Sequence, residues 1–320
     1  MAIMSDYLKV GDLVAAPGSK AAGLQEVELA GHRVEMPLFI VNGAGAGPTL
    51  AVTAGIHGAE YASIAAALQI GQSLQPADLK GRVVVAPVTN VPAFRARSIY
   101  VCPLDGINLN RVFPGKADGT ASEQLAHWLF QNVMAPADYY IDMHGGDLIE
   151  ALLPFSIYCY TGNEAVDQKS LELARVFGIP YIVRSETHGG TYGAVARAGI
   201  PAILTEAGGQ GIWLPEHVGA QVDGVDRVMR HLGMLAGPAP EPVQTRVLER
   251  FLWLRSEHEG YFYPTVDVGQ AVQAGQEIGR VTDFLGKVLQ PVIAPADGRV
   301  LFLVTSLAIN VNDPLLAVGT

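Results

Sequence analysis

The segment Pro48-Thr-Leu-Ala-Val-Thr-Ala-Gly-Ile-His57-Gly-Ala-Glu60, with the alanine-rich run that follows it to Leu74, decides how this chain folds. Leu50, Ala51 and Val52 lie between turn signals, so Pro48 to Gly55 reads as a short buried strand. From Ala59 the period changes. Ile64 and Leu68, then Ile70 and Leu74, recur four apart, the spacing of a helix. A strand that hands over directly to a helix opens a layered α/β arrangement, and the alternation continues along the chain.

Upstream, Leu24, Val27 and Leu29, then Val34, Leu38, Ile40 and Val41, read as strands on either side of Gly31-His32. Downstream, Arg82 to Val88 is a β-branched run typical of a buried strand. Thr120 and Glu123 have the spacing of a capping box, ahead of a helix with Leu125, Trp128 and Leu129 on one face. Tyr139 to Met143 reads as a strand, and Glu164 to Phe177 as a helix stopped by Gly178 and Pro180. Tyr181 to Val183 and Ala202 to Glu206 are expected strands, and Pro215 to Leu235 a long helix. The expected class is α/β with a largely parallel sheet. The composition then shifts at Gly237-Pro-Ala-Pro-Glu-Pro242, which favours an extended linker. Beyond it, short strands alternate with turns at Gly269, Gly275, Gly298 and Asn312. The expected division is an α/β domain over residues 1–236, then a linker and a small all-β barrel or sandwich over residues 237–320.

At 320 residues the chain has the length of about two average domains and can bury a core without disulfides. Hydrophobic residues at 49% and charged residues at 16% exclude disorder. A net charge of -10 with only 21 Lys and Arg argues against nucleic acid, since that affinity comes largely from neutralised phosphates. No basic stripe interleaved with aromatics occurs either. The same balance argues against an anionic membrane surface. No apolar stretch of about 18 residues is present, so no membrane span is expected. The first residues carry no basic start followed by an apolar run; no secretory leader is expected, and a cytoplasmic location follows by default. Two cysteines, Cys102 and Cys159, make neither a disulfide framework nor a Cys-rich zinc site. The eight histidines are therefore the residues to follow.

Four constellations carry chemistry. In Ala54-Gly-Ile-His57-Gly-Ala-Glu60, an imidazole and a carboxylate three residues apart stand where a strand ends and a helix begins, the place where ligands gather in α/β sheets. Spacing alone also fits a polar loop with a helix cap. In Asp142-Met-His144-Gly-Gly146, a strand delivers a second histidine to its end, and three protein ligands with an open position is a catalytic zinc pattern. In Asn108-Leu-Asn110-Arg111, two amides and a guanidinium can grip a carboxylate and a carbonyl, or simply hold a loop together. Arg95 and Arg97 precede it. In Thr205-Glu206-Ala-Gly-Gly, a carboxylate ends an apolar strand, where partial burial suits it to proton transfer. His32, His127, His217, His231 and His258 have no motif around them and read as structural or solvated. His188, in a glycine-rich loop upstream of Glu206, is a candidate for the pocket wall.

Taken in this order, His57-x-x-Glu60, Asn108-Leu-Asn110-Arg111, Asp142-x-His144-Gly-Gly and Thr205-Glu206-Ala-Gly-Gly resemble the succinylglutamate desuccinylase/aspartoacylase family of the zinc carboxypeptidase-like superfamily. The likeness spans roughly residues 20 to 236. The segments NVPAFRARS and NLNRVFPG bring it nearest to the bacterial N-acetyl-diaminobutyrate deacetylase type. The resemblance implies a zinc-carboxypeptidase-like mixed sheet with helices on both faces. It implies one zinc ion held by His57, Glu60 and His144, with Glu206 as general base and acid toward the zinc-bound water. It further implies Arg111 and Asn110 on the substrate carboxylate, and Arg97 on a carbonyl or second carboxylate. Many relatives have Asp where this chain has Asn108, which would orient His57 without adding charge. The implied activity is hydrolysis of the amide of a small N-acyl amino acid.

The C-terminal run Val268 to Gly279, with Ile293-Ala-Pro-Ala-Asp-Gly298, resembles a biotinyl/lipoyl-type barrel-sandwich. The turn Val304 to Ala308 lacks the lysine that would carry the cofactor, so the shape is expected without it. Two other readings stay open: a metallocarboxypeptidase acting on short peptides, and a non-catalytic binding protein on the same scaffold. The acyl group, the physiological metal and a homo-oligomeric state are not fixed by the sequence.

Overall fold

The computed structural model describes residues 6–238, 241 and 243–320. The first five residues of the expected leaderless N-terminus, and Ala239, Pro240 and Pro242 of the expected linker, lie outside the described residues.

β1 (Leu8–Val10) and β2 (Leu13–Ala15) form a small antiparallel pair. They are followed by β3 (Ser19–Leu29), β4 (His32–Asn42), β5 (Gly45–Ala54), β6 (Lys80–Ala86), β7 (Tyr139–His144), β8 (Glu150–Leu152), β9 (Phe155–Cys159), β10 (Tyr181–Ser185), β11 (Ala202–Glu206) and β12 (Arg246–Leu248). Nine of these make one sheet in the order β12-β10-β9-β11-β7-β5-β6-β4-β3. The sheet is mixed. β6, β5, β7 and β11 run parallel, while β9 is antiparallel to β11, and β3 and β4 close the other side as an antiparallel hairpin.

The helices are α1 (Tyr61–Ser73), α2 (Val91–Ala96), α3 (Ala121–Leu129), α4 (Glu164–Phe177), α5 (Thr191–Arg197) and α6 (Pro215–His231). Central strands alternate between two cores. Ala51 and Val84 join the α3 and α5 side, while Leu50, Val52, Val83 and Val85 join the α1, α4 and α6 side. Burial on both faces is why these strands read as continuous apolar runs. The capping box of Thr120 and Glu123 opens α3, and Gly178, with φ of 95°, stops α4. No helix among the described residues is long and apolar enough to cross a membrane.

The chain returns from α6 to the main sheet before leaving it: β12, just past the proline segment, pairs with β10. The remaining strands are β13 (Phe251–Arg255), β14 (Gly260–Pro264), β15 (Ala271–Val272), β16 (Glu277–Thr282), β17 (Val288–Ile293), β18 (Gly298–Val304), β19 (Ala308–Ile309) and β20 (Pro314–Gly319). They form two further sheets around a core that includes Phe262, Ile278, Val300 and Leu316. One of these sheets borrows β8, which pairs antiparallel with β18.

Candidate active site

β5, β7 and β11 are neighbours and run parallel, so their carboxyl ends lie side by side. β5 ends at Ala54 and turns through Gly55, at φ of 66°, a conformation that favours glycine. His57 follows, and Glu60 stands as the residue before α1. β7 ends on His144. β11 ends on Glu206, and the register sets Glu206 opposite His144. Three strand ends thus converge on one place, as the switch of a layered α/β sheet provides.

Glu60 is buried between two imidazoles. Its carboxylate lies 2.7 Å from Nδ1 of His57 and 3.0 Å from Nδ1 of His144. The far nitrogens are also held: Nε2 of His57 donates to Oδ1 of Asn108 at 3.1 Å, and Nε2 of His144 to Asp142 at 2.8 Å. Asn108 is fixed in that role because its oxygen also accepts the Asn110 amide at 2.9 Å. Asp142 is fixed by the hydroxyls of Thr53 and Thr191. One donor atom from each of His57, Glu60 and His144 falls within 4.8 Å of the others. With the Nε2 atoms committed outward, both Nδ1 atoms face the carboxylate, and this nitrogen and oxygen donor set suits a zinc ion.

The electrostatics follow the geometry. Burial pushes Glu60 up, but His144 and His57 overcome it and hold its pKa down at about 2. Burial would lower His144; Glu60 and Asp142 on either side raise it well above its ordinary value. Glu206 goes the other way. Burial, with Glu60, Glu150 and Asp142 nearby, raises it well above an ordinary carboxyl despite His144. Its Oε2 is buried with no hydrogen-bond partner. Among the described residues, such orphaned atoms are few, and one at a site of this kind marks a group that awaits a ligand or a proton.

A cavity of about 920 Å³ opens over this cluster. His57, Glu60, His144, Glu206, Asn108, Asn110 and Arg111 all line it. Asn110 is buried and accepts the Thr191 amide at 3.0 Å. Arg111 reaches the cavity with Nη1 on the Asn110 carbonyl at 2.8 Å. Desolvation by the surrounding walls lowers its pKa, and so does Arg255 nearby, while Tyr192 and Glu206 oppose that. No carboxylate among the described residues pairs with Arg111. Arg97 and His188 are placed elsewhere. Arg97 caps α2 with φ of 54° and is exposed, and His188 borders a smaller cavity with Phe113, Phe130 and Arg197.

Several lining or supporting groups go beyond those the sequence motifs single out. Asp142 stands inside one motif without a role in it, although positions two apart on a strand share a face. Tyr100, at φ of 63°, lines the cavity, with its amide on Asp147 at 2.9 Å and its hydroxyl buried beside Glu150. Glu150 is buried with a pKa raised to about 7, by burial first and then by Glu60 and Asp147, against the pull of the Asp147 amide. Phe251, Trp253, Arg255 and Asp313 reach the same cavity from the C-terminal strands.

The chain matches the succinylglutamate desuccinylase/aspartoacylase catalytic domain over residues 46–232. It is 31% identical over 303 residues to the N-alpha-acetyl-L-2,4-diaminobutyric acid deacetylase of Halomonas elongata, covering 91% of this chain and 87% of that protein. Among solved structures, a succinylglutamate desuccinylase/aspartoacylase from Rhodobacter sphaeroides superposes with a TM-score of 0.87 at 27% identity, covering 97% of each chain. The product-bound ectoine utilization protein EutE (DoeB) from Ruegeria pomeroyi superposes with a TM-score of 0.85 at 28% identity, covering 94% of this chain and 95% of that one.

Proposed function

This chain belongs to the succinylglutamate desuccinylase/aspartoacylase family, and from that premise we propose that it is a zinc-dependent hydrolase of the amide bond in small N-acyl amino acids. His57, Glu60 and His144 would hold the ion. Zinc bound there supplies a Lewis acid that polarises a carbonyl and makes hydroxide available near neutral pH. Residues 1–236 carry the hydrolytic groups in this reading, and the C-terminal strands wall the cavity.

Asn108 and Asp142 hold the two imidazoles by Nε2, leaving both Nδ1 atoms on the side of the Glu60 carboxylate, where they would be free to bind the ion. Glu206 takes a proton from the attacking water. It returns that proton to the amide nitrogen as the C–N bond breaks, releasing a carboxylic acid and a free amine. Arg111, with no carboxylate paired to it among the described residues, clamps the substrate carboxylate with two parallel hydrogen bonds, and Asn110 fixes the loop that presents it. The substrate named for the Halomonas elongata relative, N-alpha-acetyl-L-2,4-diaminobutyric acid, falls in this class.

The observation that carries the reading is the register of β11 on β7, which sets the unpartnered Glu206 carboxyl beside His144. Metal analysis and turnover of Glu206→Gln test it. One zinc per chain is expected in both proteins, with kcat reduced about 10²–10⁴-fold in the variant. A protein that takes up no zinc at micromolar metal, or a variant with undiminished hydrolysis, would overturn it.

A further inference from the structure

Four aromatic side chains run along one wall of the cavity as a continuous array. It starts at Phe155, which stands opposite Glu206 in the register of β9 and β11. Phe251 follows at 5.4 Å between ring centroids, Trp253 at 4.9 Å from Phe251, and Phe302 at 4.9 Å from Trp253. All four line the cavity that holds His57, Glu60 and His144. Three of them come from the C-terminal strands β13 and β18, outside the stretch matched to the catalytic domain.

Packing between sheets accounts for only part of this array. Phe155 and Phe302 are 3% and 4% exposed and sit beneath it, whereas Trp253 is 46% exposed. Trp253 lies on β13, an edge strand of its sheet among the described residues. An exposed indole lining a concave site is an apolar contact surface. The cavity is also roomy. At about 920 Å³ it lies near the top of the roughly 300–1,000 Å³ that encloses drug-sized ligands, and an acetylated amino acid with a short side chain fills a small part of that.

The polar end is placed to match. The register shifts between Leu254 and Arg255, where β20 carries one residue more than β13. Arg255 then donates to the Asn312 carbonyl at 2.7 Å, with its guanidinium 5.6 Å from the Trp253 ring centroid. Arg255 and Arg111 line the same cavity. A ligand carboxylate at these cations would therefore leave its remaining bulk against the indole.

We propose that this wall selects N-acyl amino acids that carry an aromatic ring, in the acyl group or in the side chain, with Phe251 and Trp253 as the specificity-determining contacts. The proposal rests on the hydrolase reading above and names the substrate class of the same site.

The test compares N-acetyl-L-alanine, N-acetyl-L-phenylalanine and N-benzoyl-L-alanine on the zinc-loaded enzyme. At least one aromatic substrate is expected to exceed N-acetyl-L-alanine in kcat/KM by about tenfold, and which one does so distinguishes a ring in the side chain from a ring in the acyl group. Trp253→Ala should lower that ratio about tenfold, chiefly through KM, and Trp253→Phe should keep most of it. Calorimetric titration of the two aromatic compounds into Glu206→Gln, with and without Trp253→Phe or Trp253→Ala, gives a readout that needs no turnover. Aromatic substrates no better than N-acetyl-L-alanine, or aromatic binding indifferent to Trp253, would overturn the proposal. If neither these three nor N-alpha-acetyl-L-2,4-diaminobutyric acid is hydrolysed, the hydrolase reading fails while the titration still decides whether the wall binds an aromatic ring.

Discussion

Replacing Glu150 by Gln should abolish a pH-dependent loss of stability that the metal-free protein suffers. Glu150 is 6% exposed on β8, and Oε2 accepts the Asp147 amide at 2.7 Å. Burial, then the charges of Glu60 and Asp147, raise its pKa from the ordinary 4.5 to about 7. The unfolded chain has no such environment and titrates near the ordinary value. The folded state therefore holds this proton more tightly than the unfolded state. Its contribution to stability is full below pH 4.5 and is lost as pH rises through about 7. At about 1.4 kcal/mol per pH unit, the interval is worth about 3 kcal/mol. The amide of Glu150→Gln cannot titrate, yet its carbonyl oxygen can still accept the Asp147 amide. Urea unfolding of both proteins, chelator-treated, from pH 4.5 to 8 provides the measurement. Wild type should lose about 3 kcal/mol relative to Glu150→Gln across that range, while titrations common to both proteins cancel in the difference. A difference that stays constant with pH would refute the reasoning, because Glu150 would then ionise in the fold as freely as in the unfolded chain.

Three further outcomes are expected. Asp142→Asn removes the charge behind His144 and should weaken zinc binding about 10–100-fold in chelator competition; unchanged affinity would reduce Asp142 to a packing role. Asn108→Asp adds a charge behind His57 and should tighten zinc by about tenfold in the same assay. Arg111→Gln should raise KM by about 10–100-fold with a smaller change in kcat, as loss of a charge-assisted carboxylate contact does. An effect confined to kcat would move Arg111 from binding to the chemical step.

Much of the site is legible in the sequence because its residues sit at strand ends. The run Leu50 to Val52 is apolar on both faces of a central strand, and the turn at Gly55 follows it, which places His57 at the carboxyl end of β5. The same logic places His144 and Glu206. Asp142 is readable in the same way, from its two-residue offset to His144. Other features depend on partners distant in sequence. β8 is three residues long and pairs with β18, far along the chain, so no local pattern announces it. α5, built from Thr191-Tyr-Gly-Ala-Val-Ala-Arg197, has too little apolar periodicity to stand out. Arg97 shares a segment with the family-like motif, but it lies in an exposed stretch, Phe94 to Arg97, at the end of α2. The alternation of Phe251, Trp253 and Arg255 is visible in the sequence; what their face looks onto is set only when β13 docks beside the main sheet.

The backbone around the candidate site ties these parts into one unit. Gly145 and Gly146 follow His144, and a Cβ on them would lie 2.5 Å from the Ala207 carbonyl oxygen and 2.6 Å from that of Glu150. Only glycine lets the turn after β7 pack this closely on the loop after β11. That packing is hydrogen-bonded throughout: Ala207 to His144 at 3.2 Å, Gly146 to Gly208 at 2.9 Å, and Gln210 to both Asp147 and Glu150 at 3.0 and 2.9 Å. His144 and Glu206 are thereby fixed relative to each other twice, by strand register and by the turns beyond it. The same turn runs on into β8, where Glu150 pairs with Val304 and Leu152 with Phe302. Phe302 is the last ring of the aromatic array. The Glu150 carboxyl, the His144 imidazole and the aromatic wall are therefore linked by continuous backbone hydrogen bonding. A site tied together in this way holds its groups in place before any ligand arrives. It also means that a change in β18 should be felt at His144, although the two are distant in sequence.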